Sequence, residues 1–448
     1  MQKNKNEVWA FFASVKLALF TFFILAVASI IGTLIPQGKE MQFYIDTFGP
    51  GTAKLFQVLN VPDMYNSWWF VSLLVLFSIN LIVCTIDRFP NIWRLVTMDN
   101  LAMAIERIAK MPKRQVFHSG LPAAEAAQIL EATGTSWKFK KAAKGEGVLF
   151  AAQKGPWTRL GVIAVHVSIL VIFIGAIIGS ALGFKGSVMI REGGSTKQIY
   201  LYDANNTAVP LGFELRCDRF ELQTYDTGAP KEFISDLVVL DKGAEVYKKT
   251  IEVNDPLEYG GLTFYQSSYQ ALEDGYVIEI ENESTKVSKK FYLSPGQPVK
   301  WEDEGLTFGI TNRMGPYAMG RYRHKIWFND ASQKPIEFWT EEGKMVIVER
   351  PDVNYLFSIR PLYYTGLQVT KDPGVWFVYI GCAMMLVGLF VAFFLSHKKV
   401  WIYVSDEETG SKVLVSGTSN KNKIGFDNDF SALTELLEQN DSLKLTRE

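Results

Sequence analysis

This 448-residue chain contains only four histidines, so the possible chemical role of each can be considered separately. His166 lies in a long apolar run, six residues after Leu160, which puts it about 9 Å along a helix. An ionisable side chain inside such a run is costly and is by default a candidate functional residue. A neutral imidazole there can ligate a haem iron or relay a proton. The alternative is a hydrogen bond between helices, with Ser168, Asn80 or Thr85 as partner.

The other three histidines have weaker claims to a chemical role. His397 follows an apolar run beside two lysines, so we expect an interfacial position rather than a ligand. His118 lies in a basic segment and is expected on a solvated surface. His324 lies beside Arg321 and Arg323, and arginine forks pair with carboxylates, so this cluster can hold the carboxylates of a tetrapyrrole. A solvated strand-and-loop face is the favoured interpretation of that cluster.

The composition and the motifs exclude several classes of protein. With 46 basic and 47 acidic residues the chain lacks the basic excess of a nucleic-acid-binding protein. Its three cysteines form no CxxC pair, which excludes a zinc ribbon, a thioredoxin-like site and covalent c-type haem attachment. Cys217 is expected to be a buried, inert thiol. No GxSxG, P-loop, HExxH or EF-hand pattern occurs, so the sequence lacks these catalytic and metal-binding signatures. The apolar runs contain no paired carboxylates, which argues against an ion pump.

Four apolar runs are each long enough to cross a bilayer as a helix. They are residues 17–35, 68–86, 160–184 and 375–396. Trp68 and Trp69 open the second run, as is typical of the interfacial aromatic belt. The predicted fold class is therefore a polytopic α-helical membrane protein with four transmembrane helices and a large extracytoplasmic mainly-β domain.

The distribution of basic residues predicts the orientation. Residues 87–159 hold twelve Lys and Arg against six Asp and Glu, whereas residues 36–67 hold two Lys. By the positive-inside rule, residues 1–16, the basic loop 87–159 and the tail 397–448 are cytoplasmic. The connection 36–67 and residues 185–374 are then extracytoplasmic. The first run is too long for a usual signal peptide and is expected to remain uncleaved.

The segment 185–374 is expected to be the only part large enough for a full soluble domain. Apolar and charged residues alternate in runs such as 213–217 and 276–281, and glycine-rich turns separate the runs. We therefore expect an antiparallel β domain, either sandwich-like or a partly open barrel. In the basic loop we expect a short helix over 122–133 and a hairpin over 136–153. The tail is expected to contain two strands and a helix.

Several stretches of the chain resemble the ResB/CcsB family of cytochrome c biogenesis proteins. The matching stretches are KLALFTFFILAVASIIGTLIPQ (16–37), RLGVIAVHVSILVIFIGAIIGS (159–180), GFKGSVMIREGG (183–194), VNDPLEYGGLTFYQSSY (253–269), HKKVWIYV (397–404) and NKIGFDNDFSALTELL (422–437). The resemblance covers essentially the whole chain. The first-span signature and FYQSSY together are its most specific features.

The resemblance implies a subunit of the system II cytochrome c synthase in the cell inner (cytoplasmic) membrane. Such a complex moves haem across the membrane and presents it to apocytochrome c, whose CxxCH thiols form thioethers with the haem vinyl groups. The family's third-span histidine corresponds to His166, which the resemblance implies is an axial ligand of haem iron. Arg321, Arg323 and His324 are then weaker candidates for a contact to haem carboxylates or apocytochrome.

The resemblance also implies a partner, the tryptophan-rich ResC/CcsA membrane protein. This chain lacks the partner's WGxxWxWD-type segment, so the partner is expected to be a separate chain, and this one a non-catalytic or co-catalytic subunit with haem as transient cargo. Tyr265 and Tyr269 of the FYQSSY stretch are expected either in the core of the β domain or at the membrane interface, and the core is the favoured position. The competing hypothesis is a membrane-anchored sensor or scaffold, which binds a ligand outside and has no role with haem.

Overall fold

The computed structural model of the chain describes residues 6–202, 205–225, 227, 229–317, 321–330 and 334–447. It divides into two compact units. One consists of residues 1–175 and 376–448 and is called the membrane unit below. The other consists of residues 176–375 and is called the β unit.

Four helices in the described residues are long and apolar enough to cross a membrane. They are α2 (Val15–Leu34), α5 (Trp68–Thr97), α8 (Gly161–Leu182, after a 3-10 turn over Pro156–Leu160) and α9 (Val375–Phe394). Together with the β unit they confirm the predicted fold class. The helix α5 is longer than its apolar run, because the charged pair Asp87 and Arg88 and the internal Pro90 do not end it.

Short helices complete the apolar part of the membrane unit. They are α1 (Glu7–Phe12), α3 (Met41–Phe48) and α4 (Pro50–Val58), followed by a 3-10 turn over Val61–Asn66. Asn80 of α5 is fully buried and its amide nitrogen donates to the carbonyl oxygens of Phe12 and Ser14, at 2.6 and 3.1 Å. These two carbonyls lie where α1 ends and α2 begins. This bonding of Asn80 ties α5 to the first two helices.

Helices α8 and α9 approach closely because small residues line their contact. A methyl group on Gly161 would stand 2.8 Å from the backbone nitrogen of Ala392, and one on Gly388 would stand 3.2 Å from the carbonyl oxygen of Gly161. A methyl group on Gly381 would meet the side chain of Ile172 at 2.6 Å. Small residues of this kind let membrane helices pack backbone against backbone.

The basic loop and the tail together form one domain, which the sequence analysis did not predict. Their strands are β1 (Lys113–Ser119), β2 (Lys140–Lys144), β3 (Gly147–Lys154), β18 (Lys398–Glu407), β19 (Gly410–Ser419) and β20 (Leu445–Arg447). Their helices are α6 (Ile105–Ala109), α7 (Ala123–Ala132) and α10 (Lys423–Glu438), and a 3-10 turn covers Asn100–Ala102. The sheet has the order β2-β3-β18-β19-β1-β20. The expectation that only residues 185–374 could form a full domain is therefore wrong.

This six-stranded sheet has an apolar core of its own. On one face, Val400, Ile402 and Val404 pack under α7 and α10. On the other face, Trp401 packs with Ile108 and Leu149, and its indole nitrogen donates to the carbonyl oxygen of Asn100. Side chains of successive strand residues point to opposite faces, so β18 is buried on both sides. The sequence of β18 after Lys399 is therefore a nearly continuous apolar run.

The β unit is antiparallel throughout its described strands. They are β4 (Phe184–Arg191), β5 (Ser195–Leu201), β6 (Ala208–Thr224), β7 (Pro230–Asp241), β8 (Ala244–Ile251), β9 (Leu257–Tyr259), β10 (Leu262–Asn282), β11 (Ser288–Leu293), β12 (Val299–Trp301), β13 (Leu306–Met314), β14 (Arg323–Asn329), β15 (Ile336–Glu341), β16 (Met345–Glu349) and β17 (Asn354–Lys371). A 3-10 turn over Glu302–Glu304 follows β12. A ten-stranded sheet has the path β11-β10-β17-β4-β5-β6-β7-β8, with β9 on β10 and β16 on β17. A second sheet has the order β12-β13-β14-β15.

Two cores divide the β unit, and the long strands β10 and β17 contribute to both. The first core lies among β4 to β10 and β17, around Leu215, Phe264 and Leu367. The second lies between the four-stranded sheet and the far halves of β10 and β17, around Phe308 and Phe357. Irregular pairing of β10 with β17 between residues 266 and 276 separates the two halves. The predicted antiparallel β domain is therefore confirmed, and its second core, which lies between two sheets, is sandwich-like.

Candidate functional site

His166 lies on the face of α8 that packs against α5. Its Nδ1 lies 2.9 Å from the hydroxyl oxygen of Thr85, which was one of three partners considered from the sequence. Ser168 bonds instead to the carbonyl oxygen of Val165, and Asn80 bonds to the chain between α1 and α2. Among the described residues Nε2 of His166 has no hydrogen-bond partner, and the ring is half-buried. The imidazole is thus held at one nitrogen and open at the other.

This geometry suits a neutral ligand to a haem iron. When Nδ1–H donates to the Thr85 hydroxyl oxygen, the lone pair is on Nε2, the nitrogen that would face the metal. The position of His166 on α8 is fixed by packing. Leu170 and Phe173, one and two turns further along the helix, pack against the apolar cluster on α2 and α5. The described residues contain no group of three or more His, Cys, Asp and Glu side chains that could hold a metal ion.

His397 is buried and fully hydrogen-bonded, three residues after the end of α9, and its expected interfacial position stays a prediction. Its Nδ1 accepts from Nε of Arg159 at 2.8 Å, and its Nε2 lies 3.0 Å from the side-chain oxygen of Gln153. Its backbone N–H donates to Asn420. Burial, with Lys399 and Arg159 nearby, lowers the pKa of His397 to about 4. The residue joins the start of α8 to the sheet as a neutral group.

His118 lies at the surface, on β1, as expected from the basic segment around it. Its Nδ1 is 2.7 Å from a carboxylate oxygen of Glu407, and both side chains are partly exposed. Such a surface pair contributes little to stability. His118 therefore serves below as a matched control for His166.

His324 lies in the core of the β unit, so the expected solvated position is wrong. The side chain is fully buried, and Nε2 lies 2.9 Å from a carboxylate oxygen of Glu342. The other oxygen of Glu342 accepts from the backbone N–H of Tyr322 at 3.1 Å. The ring of Tyr276 meets the imidazole edge to face, with the centroids 4.4 Å apart. Nδ1 of His324 has no hydrogen-bond partner in the part of the chain that the structure describes.

Arg321 and Arg323 are both exposed and lie apart from the buried imidazole. Arg323 is on the face of β14 opposite to that of His324, because strand side chains alternate. In the register Arg323 pairs with Glu341, whose carboxylate is bonded by Lys344. The structure therefore separates the three residues that the sequence grouped together, and leaves the two arginines at the surface.

The FYQSSY stretch contains a buried polar network. The side-chain oxygen of Gln266 accepts from the hydroxyls of Ser235 and Thr365, at 2.7 and 3.0 Å, and its nitrogen donates to the carbonyl oxygen of Ser268. All these contacts lie at the irregular pairing of β10. A satisfied network of this kind fixes one register of the strand. The network was not predicted from the sequence, although a glutamine inside an apolar alternation is a signal for it.

The two tyrosines of that stretch differ. Tyr269 packs among the rings of Phe220, Phe233 and Tyr363, as expected of a core residue. Tyr265 is 40% exposed, so its expected core position is wrong. The alternation along β10 explains the difference, because residues 264 and 266 point inward.

A buried ion pair was also missed. Glu192 is fully buried, and its two carboxylate oxygens accept from Arg360 at 2.8 and 2.5 Å, a bidentate arrangement. The next residue, Gly193, has φ +75°, and a Cβ there would clash with the ring of Tyr292. Burial and then the charge of Glu192 raise the pKa of Cys217 to about 12. Cys217 is thus the buried, neutral thiol that the sequence predicted.

Four apolar helices, a six-stranded sheet built from two distant segments and a separate mainly-β unit define a polytopic membrane protein. The comparisons then identify its family. The chain belongs to the ResB-like family, whose model matches residues 15–334 and 324–431.

Relatives of known name match over nearly the whole length. The chain is 29% identical over 446 residues to the cytochrome c biogenesis protein CcsB of Gloeobacter violaceus, covering 95% of this chain and 90% of that protein. It is 29% identical over 457 residues to the protein of the same name from Synechococcus sp. (strain JA-3-3Ab), covering 96% and 90%. Among solved structures, the cytochrome c haem lyase CcmF aligns with a TM-score of 0.23 and 9% identity, over 85% of this chain and 35% of that one.

Proposed function

We propose that this chain is a subunit of the system II cytochrome c biogenesis complex, which helps move haem across the membrane and presents it to apocytochrome c. The family membership and the relatives named for cytochrome c biogenesis support a role in cytochrome c maturation. The observation that carries the haem part of the proposal is His166, with Thr85 on Nδ1 and with Nε2 open. Haem is here the cargo of the protein.

The contribution of this chain would be to hold the haem and to orient it toward the substrate thiols. Thioether formation needs haem and two substrate thiols brought into line, which is mostly a matter of proximity and orientation. His166 would supply one axial imidazole, and Thr85 would fix the plane of its ring. A separate tryptophan-rich ResC/CcsA membrane protein would supply the rest of the haem site. The β unit would form the docking surface for apocytochrome, with Arg321 and Arg323 as exposed candidates for that contact.

The proposed location is the cell inner (cytoplasmic) membrane, with both termini in the cytoplasm and residues 185–374 on the opposite side. The pairing of β3 with β18 supports this orientation, because it requires the basic loop and the tail to lie on the same side. An even number of spans between them gives that result. The excess of basic residues in the loop then favours the cytoplasm for that side.

An absorption spectrum of the chain co-purified with its tryptophan-rich partner tests the role of His166. We expect the reduced-minus-oxidised haem band of the wild type to be lost or shifted in His166→Ala, because an axial ligand is removed. Thr85→Val should shift the band less, since the ligand remains but loses its orienting hydrogen bond. His118→Ala is the matched control, because this histidine is at the surface, and its band should equal that of the wild type.

A second measurement separates the ligand role from the wider function. Holocytochrome c formed by cells that lack the native chain is compared after complementation with the wild type and with His166→Ala. An unchanged haem band in an intact complex would contradict the ligand role and make this chain a scaffold for its partner. Full cytochrome maturation without the chain would contradict the biogenesis role itself and favour the sensor hypothesis.

A further inference from the structure

A group of basic side chains gathers where α8 begins and α9 ends. Arg159 lies two residues before α8, and Lys399 lies five residues after the end of α9. In the register Lys399 pairs with Gln153, the residue whose side chain bonds His397. Lys421 reaches the same place, because its ammonium donates to the carbonyl oxygen of Ala392 in the last turn of α9.

These cations lack acidic partners. In the part of the chain that the structure describes, no carboxylate forms an ion pair with Arg159, Lys399 or Lys421, and the only partner of the Arg159 guanidinium is the neutral imidazole of His397. Lys399 is nevertheless only 6% exposed. A lysine side chain that is largely buried and has no counter-charge is costly in its charged form, so the charge needs either an anion or the loss of its proton.

The neighbouring lysine shows the contrast. Lys398 points to the opposite face of β18, where its ammonium bonds the carboxylate of Asp429 on α10 at 2.6 Å. Two adjacent lysines of one strand thus have opposite surroundings. Lys398 has a carboxylate partner, whereas Lys399 has none among the described residues and lies near the charge of Arg159. Burial and the charge of Arg159 accordingly lower the pKa of Lys399, a cost that a bound anion would remove.

The position indicates which anion is available. The residues flank two membrane spans, which places them at the level of the lipid headgroups. Trp157, two residues before Arg159, is 53% exposed, as is typical of an indole at the membrane surface. The first turn of α8 adds the positive end of its helix dipole. Basic pockets between membrane helices are known to bind anionic headgroups.

We propose that Arg159 and Lys399 bind the phosphate of an anionic phospholipid headgroup at this end of α8 and α9. The phosphate would supply the counter-charge that the described residues lack. Arg159 would use the guanidinium nitrogens left free by His397, and Lys421 would add to the positive potential. The lipid would thereby join the α8–α9 pair to the six-stranded sheet.

Native mass spectrometry of the full chain tests this proposal, with phosphatidylglycerol and phosphatidylcholine as probes. We expect the wild type to retain phosphatidylglycerol over phosphatidylcholine. Arg159→Gln and Lys399→Met should each weaken that retention roughly fivefold, which corresponds to about 1 kcal/mol for one basic residue near an anionic surface. Lys399→Arg keeps the charge and should keep the lipid.

Lys398→Met is the matched control, since it removes the same charge from the adjacent residue. Equal loss of phosphatidylglycerol in Lys398→Met and Lys399→Met would overturn the proposal, because it would show attraction by net charge alone. Unchanged retention in both Arg159→Gln and Lys399→Met would also overturn it. Inorganic phosphate is added as a competitor, and its binding at the site without any lipid preference would assign the site to free phosphate instead. If Lys399→Met fails to fold, Arg159→Gln and Arg159→Lys decide the result.

Discussion

The two histidines of the membrane unit differ in what their ring nitrogens bond. An arginine side chain can only donate hydrogen bonds, so Arg159 forces Nδ1 of His397 to accept and leaves the proton on Nε2, which donates to Gln153. Both nitrogens are occupied, and no ligand role remains for this ring. His166 keeps one nitrogen open. The difference follows from neighbours that the sequence places far apart, so sequence reasoning could rank the two residues but could not describe their bonds.

The neutral state of His397 predicts a pH dependence of stability. Its pKa is lowered from an ordinary value of about 6.5 to about 4 in the folded protein, so the unfolded chain binds more protons between these values. Stability from this group is therefore fully present above about pH 6.5 and is lost as the pH falls towards 4. The loss is up to about 3 kcal/mol by that linkage.

Thermal unfolding of the full chain between pH 4 and 7 measures this effect. His397→Gln should show a flatter pH profile than the wild type, since the amide cannot titrate. His118→Gln is the control, because its exposed ring lies beside Glu407, and its profile should keep the wild-type slope across the same range. Parallel profiles for the wild type and His397→Gln would contradict the neutral, buried state of the imidazole.

At the scale of elements, the contact of α8 with α9 depends on glycine. A methyl group on Gly161 would stand 2.8 Å from a backbone nitrogen of α9, so the two helices would have to move apart. We expect Gly161→Ala to destabilise the protein by about 1–3 kcal/mol, as overpacking does. Unfolding of the full chain in mixed detergent micelles measures the change.

Gly51→Ala provides the matched control for this prediction. Gly51 lies in α4, and a methyl group there would meet nothing within 4 Å. Alanine favours a helix over glycine by about 0.8–1.0 kcal/mol, so this variant should be as stable as the wild type or more stable. Equal stability of Gly161→Ala and Gly51→Ala would contradict the close packing of the two helices.

The elements also show what local pattern can and cannot predict. The four membrane helices and the short helix α7 were predictable, because length, hydropathy and periodicity are local signals. The six-stranded sheet was not, because β3 and β18 are separated by more than two hundred residues, and local periodicity does not identify pairing partners. The burial of His324 could have been predicted from the alternation of inward and outward side chains along β14. Ile326 and Phe328, two and four residues further on, point to the same face and are buried. The wrong prediction came from the charged neighbours of His324, which lie on the opposite face of the strand.

For the whole molecule, the sheet constrains how the chain crosses the membrane. Strands β3 and β18 pair over Gly147–Lys154 and Lys398–Ser405. One of these strands precedes α8 and the other follows α9, so the chain before the two helices and the chain after them form one domain. An even number of crossings between them satisfies this requirement, and an odd number does not. In the proposed orientation that side is the cytoplasm, because residues 87–159 carry twice as many basic as acidic residues and the positive-inside rule places such a loop there. The strand pairing thus requires the basic loop and the tail to share one side, and the charge distribution alone supports the proposal that this side is the cytoplasm.

Labelling of single introduced cysteines tests this orientation. Val246→Cys lies at an exposed position of β8, and Glu408→Cys lies in the exposed turn between β18 and β19. With a thiol reagent that does not cross membranes, we expect Val246→Cys to react in intact spheroplasts and Glu408→Cys to react only after permeabilisation. The parent chain is the control, since Cys84 and Cys217 are buried and Cys382 lies within α9. Reaction of both introduced cysteines before permeabilisation would place the sheet and the β unit on the same side of the membrane, which contradicts the single span, α8, that lies between them in the chain.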